Sequence, residues 1–279
     1  MTDTGLQNKV VIVTGAARGI GAATASLMAD RGARVVLADI DGDLARAGAE
    51  SIGRGAVGFG LDVSDREAFE RLIDTVESDV GPVDVLVNNA GIAVTSPRVG
   101  EQDPAMIDRT IAVNLTGVIN GTVAVVKRME KRRTGHVVNV ASLAGVMGIS
   151  GLSAYSASKF GAVGFTEAIR IEYAGSGLRF TCVMPGPVET DQMVGTSGSP
   201  VVKLVKPEAI AAAIVTAVIR GKDRVYLPRS SGVLVRITSL LPPALAVRLN
   251  RLTGMDRVYT DVDYSARAEY VNRVSAESE

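Results

Sequence analysis

Lys9-Val-Val-Ile-Val13 runs without a break into Thr14-Gly-Ala-Ala-Arg-Gly-Ile-Gly21, and the segment from Ile20 to Arg31 is rich in Ala. The β-branched run reads as a buried strand and the Ala-rich segment as a helix. Gly15, Gly19 and Gly21 let the chain turn sharply between them and let a pyrophosphate approach the backbone. The helix, with Ile20 in its first turn, aims its positive end and free N–H groups at that anion. The spacing is not Gly-x-Gly-x-x-Gly, so the setting between strand and helix carries the reading. Glycines that serve packing alone are the alternative.

The same rhythm continues outward. Strands are expected at Arg34–Ala38, Ala56–Leu61, Val83–Val87, His136–Val140, Arg179–Met184 and Val225–Leu227. Helices are expected at Leu44–Ile52, Arg66–Val80, Asp103–Arg133, Ser153–Ala174 and Pro207–Arg220, the last with Pro in its first turn. Continuous apolar strands separated by helices imply a parallel sheet covered on both faces. The fold class is therefore α/β, a doubly wound Rossmann-type sheet of seven strands, with ligands at the carboxyl ends of the strands. Residues 1–228 form this domain, and 229–279 are a C-terminal extension that departs from the rhythm.

Composition narrows the chemistry. Over 279 residues, 30 Lys and Arg balance 30 Asp and Glu, which argues against a general nucleic-acid binder. One Cys excludes a disulfide framework and a multi-cysteine metal site, and one His removes most zinc and Ser-His-Asp chemistries. Catalysis falls to Ser, Tyr, Lys, Asn or carboxylates, with no metal. His136 begins a strand and reads as structural; Cys182, in an apolar strand, reads as an inert core thiol. The N-terminus lacks a basic region and a long apolar stretch, and no run of ~18 apolar residues occurs, so no secretory signal or membrane-spanning helix is expected. A cytoplasmic location follows as the default.

Asp39 ends the second strand, where a carboxylate accepts hydrogen bonds from the adenosine ribose and repels a 2′-phosphate. This favours NAD over NADP. Arg18 pulls the other way, because a cation in the turn meets that phosphate. Asp39 as a helix cap or turn residue, and Arg18 as a solvated loop charge, are the plainer readings. Farther on, Tyr155 and Lys159 stand four apart in a helical stretch and share a face. An ammonium beside a phenol lowers its pKa from ~10 toward neutrality, which makes Tyr155 a usable general acid or base. Ser142, at the carboxyl end of a strand, is placed to hydrogen-bond a substrate oxygen.

With these residues in view, the chain over 8–228 resembles the short-chain dehydrogenase/reductase family. Thr14–Gly21 is similar to its cofactor turn, and Asn88-Asn-Ala-Gly91 to its motif after the fourth strand, with Asn89, Ala90 and Gly91 toward the cofactor. Asn114, Ser142, Tyr155 and Lys159 fall where the family keeps its catalytic tetrad. Pro185-Gly186, with Val188 and Thr190 beyond, resembles the segment that meets the nicotinamide, and Asp62 with Val63 the pair at the adenine.

The resemblance implies hydride transfer between a nicotinamide and a carbinol or carbonyl carbon. In it Tyr155 trades the proton, Ser142 orients the reacting oxygen, and Lys159 tunes Tyr155 and holds the nicotinamide ribose. Asn114 positions a water as proton relay. It also implies a homodimer or homotetramer with helices 103–133 and 153–174 at the interface. The leading reading is an NAD(H)-dependent secondary-alcohol dehydrogenase or ketone reductase. An NADPH-dependent ketone or 3-oxoacyl reductase is the alternative. A non-catalytic nucleotide-binding regulator is a third, against which the complete tetrad speaks.

Residues 188–206 carry Gly195, Gly198, Pro200 and several Ser and Thr, a composition that suits a mobile lid. Met193, Val194, Val201, Val202, Leu204 and Val205, with Met147 and Ile149, present apolar walls, which leans toward a hydrophobic substrate. The same residues can equally pack on the core. In the extension, Val233–Leu252 is expected as two short helices split by Pro242-Pro243. Arg229, Arg236, Arg248, Arg251 and Arg257 against Asp256 give a local charge of +4, and residues 258–279 give −3. A basic amphipathic segment suits weak contact with an anionic membrane surface. Packing on the core, over the pocket or at a subunit contact is preferred, because the Pro pair limits a continuous amphipathic face.

Overall fold

Five consecutive β-branched residues, Val10–Thr14, form β1, and every one is buried. In the computed structural model, which describes residues 5–197, 204–232, 235, 241–252, 254 and 256–276, this strand is the third in a seven-stranded parallel sheet. The others are β2 (Arg34–Asp39), β3 (Val57–Gly60), β4 (Val83–Asn88), β5 (Gly135–Val140), β6 (Leu178–Pro185) and β7 (Arg224–Leu227), in the order β3-β2-β1-β4-β5-β6-β7. The expected doubly wound sheet is present.

Alternate residues of each strand serve opposite faces. Val11, Val13, Val35 and Leu37 pack beneath α1 (Gly19–Asp30), α2 (Gly42–Ile52) and α7 (Pro207–Arg220). Val10, Ile12, Val36 and Val137 meet α3 (Arg66–Asp79), α5 (Gly117–Arg132) and α6 (Ser153–Glu172). Each such buried aliphatic contributes about 1.5–3 kcal/mol. Aspartates open several of the helices: Asp41 accepts from Leu44 N at the start of α2, Asp65 from Glu67 N and Ala68 N at α3, and Asp103 from Ala105 N at α4 (Pro104–Ile111). Helix α1 has no side-chain cap.

The single helix expected over 103–133 is instead α4 and α5 joined by a wide π turn at Ala112–Thr116. Apolar steps of three and four tolerate one inserted residue, so periodicity does not reveal the turn. The run Pro104–Arg132 is long and apolar enough to cross a membrane by length and composition, which the sequence did not single out. Most of its apolar window is buried, and α5 packs on β4, β5 and α3, as a core helix does.

In the extension, α8 (Pro243–Leu252) starts at the second proline of the pair, and Leu245, Val247 and Leu252 are exposed on it. The first of the two expected helices falls largely on residues 233, 234 and 236–240, outside the described residues. A further helix not anticipated from sequence, α9 (Tyr264–Ala276), sends Tyr270 and Val274 into the core on the α3–α5 face.

His136 is 6 % exposed, and its Nε2 lies 2.7 Å from Thr181 Oγ1. The Thr181 hydroxyl donates to the Lys222 carbonyl, so His136 Nε2 carries the hydrogen that Thr181 accepts. Burial, then the Arg179 charge, push the imidazole down to about 4, while nearby Asp223 acts weakly the other way. The unfolded chain takes up this proton near pH 6.5 and the folded chain does not until about pH 4. Stability from His136 is thus present above about pH 6.5 and lost on acidification through that window, by about 3 kcal/mol in all. Urea unfolding at pH 7 and pH 4.5 should show a larger loss for the wild type than for His136→Gln; equal losses would contradict it.

Candidate active site

The strand order reverses between β1 and β4, and the crevice this opens lies at the carboxyl ends of the strands. A cavity of about 540 Å³ occupies it. The two strand ends are tied together there. Thr14 Oγ1 accepts from the N–H groups of Asn89 (3.0 Å) and Ala90 (3.1 Å), and Asn89 Nδ2 donates to the carbonyls of Thr14 (2.9 Å) and Gly15 (3.1 Å). Gly15 has φ +62°, and a Cβ on it would stand 2.8 Å from Ala90 Cα. Gly19 and Ile20 line the cavity, and Gly21 sits behind them against the Gly15 carbonyl. The uncapped α1 thus presents its N-terminal N–H groups and positive dipole end to the cavity.

At one end of the cavity stand Asp39, Arg18, Asp62 and Val63. The Asp39 carboxylate accepts from Ala17 N (2.9 Å) and Asp41 N (3.2 Å), so it also props the glycine turn. The helix cap is Asp41, not Asp39. Arg18 is held at 3.2 Å by Asp41, an exposed pair. Asp62 accepts from Ser64 N and Oγ and pairs with Arg109 at 2.9 Å. Burial pushes its carboxyl up, but the Ser64 and Arg109 hydrogen bonds outweigh it and hold Asp62 below the usual range. Sequence reasoning missed Arg109, because it stands 47 residues from Asp62 and only the fold brings the two together.

Ser142, Tyr155 and Lys159 share the opposite wall. Ser142 follows β5, accepts from Ala144 N (3.1 Å) and lies 3.5 Å from the Pro185 carbonyl. Lys159 is 3 % exposed and donates to the Val140 carbonyl at 2.9 Å. Burial pushes its ammonium down to about 8, only partly opposed by the Cys182 sulfur. The expected lowering of the Tyr155 phenol by Lys159 is not what this geometry gives. Lys159 Nζ stands against the ring, 5.7 Å from its centroid, and burial raises the phenol; a hydrogen bond from Ser142 draws it part of the way back. At neutral pH this arrangement holds a protonated phenol beside a cation.

Asn114 lies behind the cavity wall, fully buried in the π turn. Its Oδ1 accepts from Ile92 N (2.8 Å), and its Nδ2 donates to Ile92 O (2.9 Å) and Ser158 Oγ (3.1 Å). The amide is thereby engaged in fixing the chain after Gly91 rather than turned to Lys159. Deeper, Asn88 Nδ2 donates to Asn139 Oδ1 and Asn139 Nδ2 to Thr166 Oγ1, both at 2.9 Å, which locks β4, β5 and α6 at one height.

Pro185, Gly186, Val188 and Thr190 line the cavity beyond β6. The segment is pinned by Val205, whose N–H donates to Pro187 O (2.9 Å) and whose carbonyl accepts from Glu189 N (3.0 Å). Met147, Ile149 and Met193 face the same space, whereas Val194 and Leu204 are exposed and Val205 packs with Val188 in the core. Val201 and Val202 lie outside the described residues. Tyr259, Tyr270 and Arg273, from the extension, also line the cavity. No local pattern marks them, since their place follows from where the tail returns. Cys182 is buried and free, its thiol pushed up to about 12 by burial and by Glu167.

The residues present fit a nicotinamide dinucleotide. The glycine turn leaves room for a pyrophosphate at an uncapped helix end, acidic groups stand at one side, and a phenol and an ammonium at the other. The chain matches the short chain dehydrogenase family over residues 9–198. It is 38 % identical to the D-threitol dehydrogenase of Mycolicibacterium smegmatis, covering 79 % of this chain and 92 % of that one. It is 37 % identical to a 3-oxoacyl-[acyl-carrier-protein] reductase of Vibrio harveyi, covering 75 % and 89 %. A crystal structure of a metagenomic short-chain oxidoreductase in complex with NADP superposes with TM-score 0.70 at 32 % identity, over 80 % of this chain and 97 % of that one. Fold, glycine turn and sequence likeness converge: the chain belongs to the short-chain dehydrogenase/reductase family, oxidoreductases of CH–OH and ketone groups that use NAD(P).

Proposed function

We propose that this chain interconverts a hydrophobic secondary alcohol and its ketone with NAD(H), with Tyr155 as general acid and base. The observation that carries this is one wall on which Ser142, Tyr155 and Lys159 come together, Lys159 backing the Tyr155 ring, facing a cavity that continues to the β1–α1 turn. A bound nicotinamide supplies or accepts the hydride. In reduction the Tyr155 hydroxyl gives its proton to the substrate oxygen and becomes phenolate; in oxidation the phenolate, formed by loss of its proton to solvent, takes the proton of the substrate hydroxyl. Ser142 Oγ orients that oxygen. Lys159, held by Val140 O, keeps positive charge beside the phenol where phenolate forms, and its ammonium binds the nicotinamide ribose. Gly15, Gly19 and Ile20 at the α1 end hold the pyrophosphate, and Asp62 and Val63 the adenine.

Asp39 supports NAD, because a carboxylate at the end of β2 opposes a 2′-phosphate, and Arg18 is engaged by Asp41. The NADP-bound relative keeps the NADPH-dependent ketone or 3-oxoacyl reductase as the second reading. Ile149, Leu152 and Met193 cluster with Tyr155 and Tyr259, which supports an apolar substrate. A cytoplasmic homodimer or homotetramer is part of the same proposal, with Phe160 and Ile171 exposed on α6 as the apolar surface it would cover. Helix α8 carries the basic and apolar surface that a weak membrane contact would use.

Tyr155→Phe should lower turnover by about 10²–10⁴-fold while dinucleotide affinity, read by fluorescence titration, stays nearly constant. Near-normal turnover would defeat the mechanism. Asp39→Ala also frees Ala17 N and Asp41 N, so both cofactors should weaken. The informative quantity is the NAD-to-NADP ratio of kcat/KM, which should fall by about tenfold or more. An unchanged ratio would show that Asp39 does not read the ribose.

A further inference from the structure

At the substrate end of the cavity two loops face each other: residues 91–93 after β4 and residues 191–196 after β6. Both are tied to α9. Arg267 donates Nη1 to the carbonyls of Gln192 (2.7 Å) and Val194 (3.1 Å), and Nη2 to the carbonyl of Ala93 (3.1 Å). Its side chain is 1 % exposed, and the guanidinium lies 5.1 Å from the Tyr270 ring centroid. None of these partners is a carboxylate. Burying a cation this way is costly, and an apolar side chain of similar length would pack α9 at lower cost. A planar fork spreads its donors in fixed directions and so grips three carbonyls on two loops at once.

Gly195 is a second, independent mark of the same contact. With φ +73°, it lies where an added Cβ would stand 2.5 Å from Asp263 O and 3.0 Å from Arg267 Cγ. Asp263 N donates to Gly195 O at 2.8 Å, Thr196 bridges Val262, and Arg273 pairs with Asp191 at 3.1 Å. Loop and tail are therefore shaped to each other along their length.

Tyr270 completes this wall. Its hydroxyl accepts from Ala93 N at 2.9 Å and, among the described residues, makes no donation, which leaves its proton for a ligand in the cavity it lines. Burial pushes the phenol up to about 12, so the proton stays on at working pH. The neighbouring Tyr259 instead spends its hydroxyl on Met193 Sδ at 3.4 Å, within an apolar cluster.

We propose that Arg267 is a positioning residue that holds the two loops as walls of the substrate site, and that Tyr270 Oη is a substrate-contacting donor between them. The ligand that fits is an alcohol or ketone with an apolar body and a second oxygen remote from the reacting carbon. The substrate half of this rests on the reaction proposed above.

The test compares wild type, Arg267→Met, Arg267→Lys and Tyr270→Phe with NAD, using cyclohexanol and cyclohexane-1,4-diol, together with hydrogen exchange and dinucleotide binding. In Arg267→Met, exchange at 92–97 and 191–197 should rise by about tenfold or more while β1–β5 are unchanged and dinucleotide affinity falls less than KM rises. KM should rise by about tenfold more than kcat falls, and Arg267→Lys should recover part of it. Tyr270→Phe should lower the diol-to-mono-ol ratio of kcat/KM by about tenfold. Unchanged exchange and KM in Arg267→Met overturn the clamp, and an unchanged ratio in Tyr270→Phe overturns the donor. Wild type that oxidises neither alcohol counts against the proposed reaction and with it the donor, while the exchange measurement still decides the clamp.

Discussion

The Thr14 hydroxyl and the Asn89 amide bind the end of β1 to the end of β4, and the rest of the site takes its position from that tie. These strands are neighbours at the place where the sheet's order reverses. Without a link across their ends, the glycine turn would have several conformations and α1 no fixed direction. With it, the turn is held from the β4 side by Asn89 and from the β2 side by Asp39, which accepts from Ala17 N. The uncapped helix end is thereby aimed, and an anion meets donors already in place.

Two buried cations organise the opposite half. Lys159 is held by the Val140 carbonyl and the Tyr155 ring, and Arg267 by three carbonyls and the Tyr270 ring, with its buried Nε left without a hydrogen-bond partner among the described residues. Neither uses a carboxylate in these contacts. Carbonyl dipoles and aromatic faces lower the cost of burial without cancelling the charge, as a carboxylate would. For Lys159 this leaves net positive potential beside the phenol; for Arg267 it leaves directional bonds that set the distance between loops. The same physical device serves charge in one case and geometry in the other.

Asn114 shows how the layers connect. The π turn that carries it breaks the regular helix, and its amide is directed at Ile92 rather than along the helix. The chain leaving Gly91 is then fixed between Asn114 on one side and Gln192, which donates to the Gly91 carbonyl at 2.9 Å, on the other. A residue of the cofactor side and a residue of the β6 loop thus hold one short segment.

The sheet and its rhythm were legible because their signals are local. Five β-branched residues followed by a glycine turn specify a strand, a bend and a helix within a dozen positions, and repetition of that pattern implies a parallel sheet. Tyr155 and Lys159 were legible for the same reason, since one helical turn fixes their shared face. Residues such as Arg109, Gln192, Arg267 and Tyr270 were not, because their partners are distant in sequence and their identities are unremarkable alone. The direction of the Tyr155 phenol's shift was also beyond sequence, because it depends on burial against charge, and burial arises only once Leu152, Met193 and, from the returning tail, Tyr259 pack about the residue. Sequence by itself determined which elements form and which chemical groups are available. Tertiary structure decided what each group faces and how much water it loses, and those two quantities set hydrogen-bond direction, proton affinity and the shape of the substrate end.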